Sequence, residues 1–242
     1  MKPPNFPLGR GERFPPRSAT PVAERTKCTL VSLILLLALS GCTDVSRSSF
    51  DAVKLAVKPR PEPAYTAAEI AARPYYQLEA TGPLGTAVLI LGNVDGRRQA
   101  WYGTRGLVIF IEHGRVVKST GLDQNLDDVQ LPANDPFLHG LQTLQAPQDY
   151  RFAVDWSPGY RYGVPVNARL IPKGNEPVSI LGTTHQLLRV DEQLDVAALH
   201  YHVTNHYWVD PHDGFVWKSV QQVAPGLSLQ LVQLRPYRES PP

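Results

Sequence analysis

Cysteine is nearly missing from this chain of 242 residues, which carries it only at Cys28 and Cys42. Residues 43–242 therefore hold no intramolecular disulfide and no cysteine nucleophile, and their fold must rest on its core. Long apolar runs are scarce too. The run from Leu30 to Ala38 has the length of a signal-peptide core and is too short to cross a hydrocarbon layer as a helix. An excess of basic charge is also lacking. Six of the 24 Lys/Arg and two of the 22 Asp/Glu precede Cys42, which leaves 18 basic against 20 acidic residues and excludes a nucleic-acid signature. There is no Gly-x-Ser-x-Gly elbow and no Walker-type phosphate loop, so neither hydrolase nor nucleotide chemistry has a motif to stand on.

What is present begins with Leu39-Ser40-Gly41-Cys42. The basic residues Arg25 and Lys27 precede the apolar run, and a small residue precedes the cysteine, so the ending looks like a bacterial lipobox. On that reading Cys42 is acylated after cleavage, and two or three acyl chains hold the protein in a membrane without any spanning helix. The competing reading is an apolar helix that happens to contain a cysteine. Thr43, where an aspartate would retain an enterobacterial lipoprotein in the inner membrane, points to the outer membrane and its periplasmic face. Residues 1–24 carry six prolines and no apolar periodicity, unusual ahead of a signal peptide, which suggests a start further in, with Val22 the candidate.

The expected organisation is a removed segment (1–41), a lipid-anchored tether with a short helix and a Pro-rich linker (42–64), and one domain (65–242). The short helix is read at 49–57, from Phe50, Val53 and Val57 at helical spacing behind a serine, and Pro59-Arg60-Pro61-Glu62-Pro63 stops it. Thr66-Ala67-Ala68-Glu69 is a capping box, predicting a second short helix to about Arg73, ahead of Pro74. From Tyr75 onward the pattern is strands and tight turns. Asp95-Gly96 and His113-Gly114 read as hairpins, and residues 121–148 as a long excursion with a helical turn, functional or covering an open end. Strands resume at 150–156, 160–171, 178–189, 196–209, 215–223 and 227–234. The fold class is therefore all-β, a large curved antiparallel sheet forming a partly closed barrel, with the two short helices at its N-terminal side. In the last strand, one face is read as buried and one as Ser/Gln-rich.

Several residues invite a chemical reading. His200, His202 and His206 share one parity and on an unbroken strand would share one face, as a zinc or copper site requires, but no carboxylate or cysteine of that parity joins them. The bland reading, polar occupants of a wet sheet face, is preferred, with no metal and no cofactor. Glu192, Asp210 and Asp213 offer carboxylates for glycoside hydrolysis. Aspartates flanking Pro211 and Gly214 are, however, what a turn uses for its own backbone. Trp101, Trp156, Trp208 and Trp217 either pack a β core or stack on sugars and partners.

Residues 205–221, Asn-His-Tyr-Trp-Val-Asp-Pro-His-Asp-Gly-Phe-Val-Trp-Lys-Ser-Val-Gln, resemble the signature hairpin of the YjbF/GfcB lipoproteins of exopolysaccharide and group 4 capsule operons. Gly114-Arg115-Val116-Val117-Lys118-Ser119-Thr120 resembles the family's Gly-Arg-x-Val-Lys-Thr segment, and Trp101 falls where a tryptophan precedes it. The likeness covers most of residues 65–235, with His206 standing where arginine is usual. It implies an all-β outer-membrane lipoprotein beside a polysaccharide secretion apparatus, with partners among the proteins of such operons, and it implies no catalytic residue. The two stretches suggest a surface of Arg115, Lys118, Trp208, Trp217 and Lys218 that docks a partner or an acidic polysaccharide. The alternative is a LolA/LolB-like half-barrel carrier of acyl chains, which needs an empty apolar cavity where a scaffold has a filled interior.

Overall fold

The first element among the described residues forms where the capping box predicts it. The Thr66 hydroxyl accepts from the Glu69 backbone N–H (3.2 Å) and the Glu69 carboxylate accepts from that of Thr66 (2.7 Å), and helix α1, Ala67–Ala71, follows. It is shorter than expected by two residues, ending at an Ala72 cap because Pro74 excludes the helical conformation just before it. The computed structural model describes residues 65–83, 85–159 and 161–238, all within the unit Asp44–Pro242. Cys42 with its apolar run, the helix expected at 49–57 and the proline linker lie outside the described residues.

Twelve strands follow: β1 (Gln77–Gly82), β2 (Gly85–Asp95), β3 (Arg98–Tyr102), β4 (Val108–Glu112), β5 (Arg115–Thr120), β6 (Asn125–Gln130), β7 (Gln148–Ser157), β8 (Arg161–Ile180), β9 (Thr183–Val196), β10 (Tyr201–Val209), β11 (Val216–Ala224) and β12 (Leu227–Arg235). They form one antiparallel sheet in the order 5-4-3-2-1-12-11-10-9-8-7-6. Every strand pairs with a sequence neighbour, and the first pairs with the last through registers such as Leu78 with Gln233. The sheet thus rolls into a nearly closed barrel whose seam lies between β5 and β6, in mid-chain. There the Ser119 hydroxyl accepts from the Leu126 backbone N–H at 2.9 Å.

The local turn chemistry works as read. His113 and Gly114 both take left-handed conformations (φ 48° and 81°), which suits a two-residue hairpin whose twist matches its strands. The expected break near Pro172 is only a bulge: β8 continues to Ile180, with its register shifting between Pro172 and Gly174, so the missing proline N–H falls at an irregularity. The stretch 178–189 is consequently the two arms of a hairpin turned at Leu181-Gly182. The strand expected from 196 begins only at Tyr201, because Ala197–Leu199 form a 3-10 turn closed by a left-handed His200.

Apolar side chains gather in three places. Inside the barrel lie Leu78, Trp101, Ile109, Trp156 and Leu231; Trp156 reaches across to donate to the Val223 carbonyl at 2.9 Å. The excursion after β6 places two 3-10 turns, Pro136–His139 and Leu141–Thr143, against Tyr207, Val209 and Val216, where Phe137 and Leu141 are buried. It therefore covers the interior. A third cluster sits on the outer face, where Ile70 of α1 joins Trp208, Val220, Val232 and Leu234. Strand β12 is thus buried on both faces, correcting the expectation of one Ser/Gln-rich wet side; Ser228 and Gln233 are themselves buried.

Candidate functional site

The β10–β11 hairpin builds its turn from the aspartates that the sequence offered as possible acids. Asp210 Oδ1 accepts from the His212 backbone N–H (3.0 Å), Asp213 Oδ1 from that of Phe215 (2.9 Å), and Gly214 closes the loop onto the Asp210 carbonyl. The two stretches that resemble the family meet here. Gly114 lies so close to β11 that a Cβ on it would fall 2.2 Å from a Val216 methyl. The Gln221 amide then clasps β5, donating to the Gly114 carbonyl and accepting from the Val116 backbone N–H, both at 2.9 Å.

This close approach carries Arg115 into the barrel. It is 4 % exposed, where the sequence reading had put it on a docking surface. Its Nη1 donates to both Asp135 oxygens (3.1 and 3.2 Å) and its Nη2 donates to Glu192 at 3.2 Å and to the Tyr150 hydroxyl at 2.5 Å. The guanidinium also stacks 3.7 Å above the Phe137 ring. Glu192 accepts in addition from Tyr207 and Asn205, each at 2.8 Å, and from Tyr150. Burial alone would favour loss of the Arg115 proton, but the field of Tyr150, Glu192, Tyr207 and Asp135 outweighs it and the pKa moves up. Burial, then the Glu192 charge, pushes the Tyr150 and Tyr207 phenols well above their usual range, so both remain donors. Asp135 also caps the 3-10 turn at Phe137, so one arginine ties the covering segment to β5, β7 and β9. The cluster is sealed from substrate and serves the fold.

Of the other residues of the expected surface, Trp208, Trp217 and Lys218 gather about the outer cluster, and Lys118 stands apart on β5. Trp208 is 3 % exposed: it lies opposite Lys218 in the ladder, with Lys218 Nζ 4.4 Å above its ring, and its indole N–H donates to Glu176. Its face is covered by the chain itself, which corrects the expectation for that residue. Trp217 and Lys218 are half-buried, Trp217 packing 4.4 Å from His185. Lys118, also half-buried, sits on β5 opposite Phe110. The histidines separate as well. His200 lies outside the strand, His202 is exposed beside Asp195, and His206 is buried with its Nδ1 2.7 Å from Asp191.

Two open grooves stand out among the described residues. One of about 960 Å³ lies over β7 to β10, where Asp149, Arg169, Gln193 and Thr204 stand in register. The other, about 840 Å³, lies at the end of the barrel beside the β10–β11 turn and includes Arg97, His113, His139, Tyr237 and Arg238. Sequence reasoning named none of the latter five as binding residues. The turn signals at Asp95-Gly96 and His113-Gly114 locate two of them at hairpin tips, but only the rolled sheet brings those tips together.

The fold has a solved counterpart. The crystal structure of the hypothetical lipoprotein YmcC from Escherichia coli K12 superposes with a TM-score of 0.66 at 20 % identity, over 82 % of this chain and 98 % of that one. The uncharacterized lipoprotein GfcB of Escherichia coli K12 is 22 % identical over 210 residues, 86 % of this chain and 98 % of the relative. The family described as group 4 capsule polysaccharide lipoprotein GfcB, YjbF matches residues 50–234. Since that span includes the capped helix, the Gly114–Arg115 lock and the β10–β11 hairpin that it clasps, the chain belongs to the GfcB/YjbF family of group 4 capsule polysaccharide lipoproteins.

Proposed function

We propose that the protein is an accessory or scaffold component of extracellular or capsular polysaccharide secretion, held by acylated Cys42 in the outer membrane and facing the periplasm. The filled interior carries this reading. Between the inner faces, around Phe152, Trp156 and Ala224, the void is only about 40 Å³, whereas a ligand pocket takes roughly 300–1,000 Å³. An acyl-chain carrier would need that space empty, and here indoles, leucines and the Arg115 cluster occupy it. Of the carboxylates that the sequence offered for hydrolysis, Glu192 is buried and held by Arg115, Tyr207 and Asn205, and Asp210 and Asp213 bond the backbone of their own turn. Work is left to the outer surface, which is where a scaffold acts.

A deletion strain assayed for surface polysaccharide, with and without the wild-type gene on a plasmid, tests the proposal. Loss of polysaccharide in the deletion and its return on complementation is the expected result. Unaltered polysaccharide in the deletion strain would refute a role in secretion.

A further inference from the structure

The groove at the end of the barrel combines features that a mere crevice between turns does not need. Its rim carries Arg97 and Arg238; Arg238 is paired with Asp213 and lies 3.9 Å from Asp210, while Arg97 has no ion-pair partner among the described residues. Its walls are aromatic. Phe215 holds the Arg238 guanidinium 4.4 Å above its ring, and Tyr237 meets Tyr76 edge to face at 5.2 Å. Tyr76 and its neighbour Tyr75 are 43 % and 53 % exposed.

Two glutamine amides line the same groove, and neither Oε1 has a hydrogen-bond partner: Gln142, and Gln233, which is 8 % exposed. Buried polar groups are rarely left unsatisfied in folded proteins, so each of these buried oxygens lacks a bond that a ligand hydroxyl or a water in the groove completes once the side chain turns toward it. Gln142 is seated on purpose-shaped backbone. Gly140 and Gly214, both at left-handed φ (80° and 77°), flank it, and a Cβ on either would lie 2.3 Å and 2.1 Å from its amide oxygen.

Planar aromatic faces, amides and an unpaired arginine are what a chain of acidic sugars meets: rings stack on tyrosine, hydroxyls bond the amides and carboxylates pair with arginine. We infer that this groove binds a segment of acidic, uronic-acid-type polysaccharide through Arg97, Tyr237, Gln142 and Gln233. The inference rests on the secretion role proposed above and assigns its ligand-binding surface.

Isothermal titration of the full acylated protein in detergent, with oligosaccharides of polygalacturonate, alginate, hyaluronan and neutral dextran, tests it. At least one acidic oligosaccharide should bind and dextran should not. Arg97→Gln, at an exposed position, and Tyr237→Ala, at a half-buried one, should each weaken binding about tenfold, the effect of losing one charge-assisted hydrogen bond or stacking face. Arg169→Gln, a basic residue of the other groove, should leave it unchanged. Binding by none of the acidic probes, or binding that Arg97→Gln and Tyr237→Ala leave intact, overturns the inference. The deletion strain reads the secretion role separately: polysaccharide loss there with no acidic oligosaccharide bound would refute only the groove, and binding with unaltered polysaccharide would refute only the secretion role.

Discussion

Arg115 and Glu192, 77 residues apart in sequence, meet inside the barrel with 3.2 Å between Nη2 and Oε1. The pair forms only if the sheet has rolled far enough to lay β5 beside the inner face of β11, so it reports closure of the fold. Removing the arginine leaves Asp135 and Glu192 buried without a cation. Arg115→Met should lower unfolding free energy by about 3–5 kcal/mol, the usual result of stranding a buried charge. Arg115→Lys should recover only part of this, since an ammonium cannot reach Asp135, Glu192 and Tyr150 as a planar fork does. Urea unfolding followed by tryptophan fluorescence measures both, and a loss below about 1 kcal/mol for Arg115→Met would mean that the cluster does not hold the barrel shut.

Alkaline pH should loosen the same cluster. Burial and the Glu192 charge raise the Tyr150 and Tyr207 phenols, and burial pushes Tyr201 up to about 12. Unfolded tyrosine titrates at about 10, so above that pH the unfolded chain binds fewer protons than the folded one and stability falls. The contribution is complete below the unfolded value and is lost as pH rises through the folded ones. Unfolding midpoints should therefore decline above about pH 10, with a shallower slope in Tyr150→Phe and Tyr207→Phe. Phenolate absorbance of the folded protein should lag that of the unfolded protein. Coincident titration curves would show that these phenols are accessible.

Gly114 should tolerate no side chain. Its φ of 81° disfavours one, and a Cβ would meet Val216 at 2.2 Å. Gly114→Ala is expected to cost more than about 1 kcal/mol. Adding Val216→Ala in the same chain should return part of that by removing the nearest methyl, while the Cβ that remains 2.6 Å away and the backbone conformation keep their share. If urea unfolding shows Gly114→Ala costing as much in the Val216→Ala background as in the wild type, the close approach is not the cause.

The capping box at Thr66, the Asp95-Gly96 and His113-Gly114 hairpins and the Asp210–Gly214 turn were all legible, because each is decided by residues within a few positions of one another. The burial of Arg115 was not. An arginine between a turn glycine and two valines reads as a strand with one face wet, and nothing local says that both faces of β5 are covered. That follows from the sheet closing in mid-chain, which also gathers Arg97, His113 and Arg238 at one end; the tryptophan at 208 is hidden instead on the outer face, against Val178 and Leu187 and beneath Lys218. Strand β8 was misread for a related reason: Pro172 and Gly174 look like a break, and a bulge accommodated them.

The anchor is open to a direct test from the sequence alone. Leu39-Ser40-Gly41-Cys42 follows an apolar run with basic residues before it. Each buried methylene contributes about 0.8 kcal/mol, so one acyl chain holds only marginally and two or three hold firmly. Cys42→Ser removes the thiol to which they attach. Mass spectrometry of the wild-type protein from membrane fractions is expected to find the mature chain beginning at an acylated Cys42. The Cys42→Ser variant is expected as an unacylated precursor of higher mass, or in the soluble fraction. An unmodified Cys42 in the membrane-bound wild type would mean that something other than acyl chains retains the protein there.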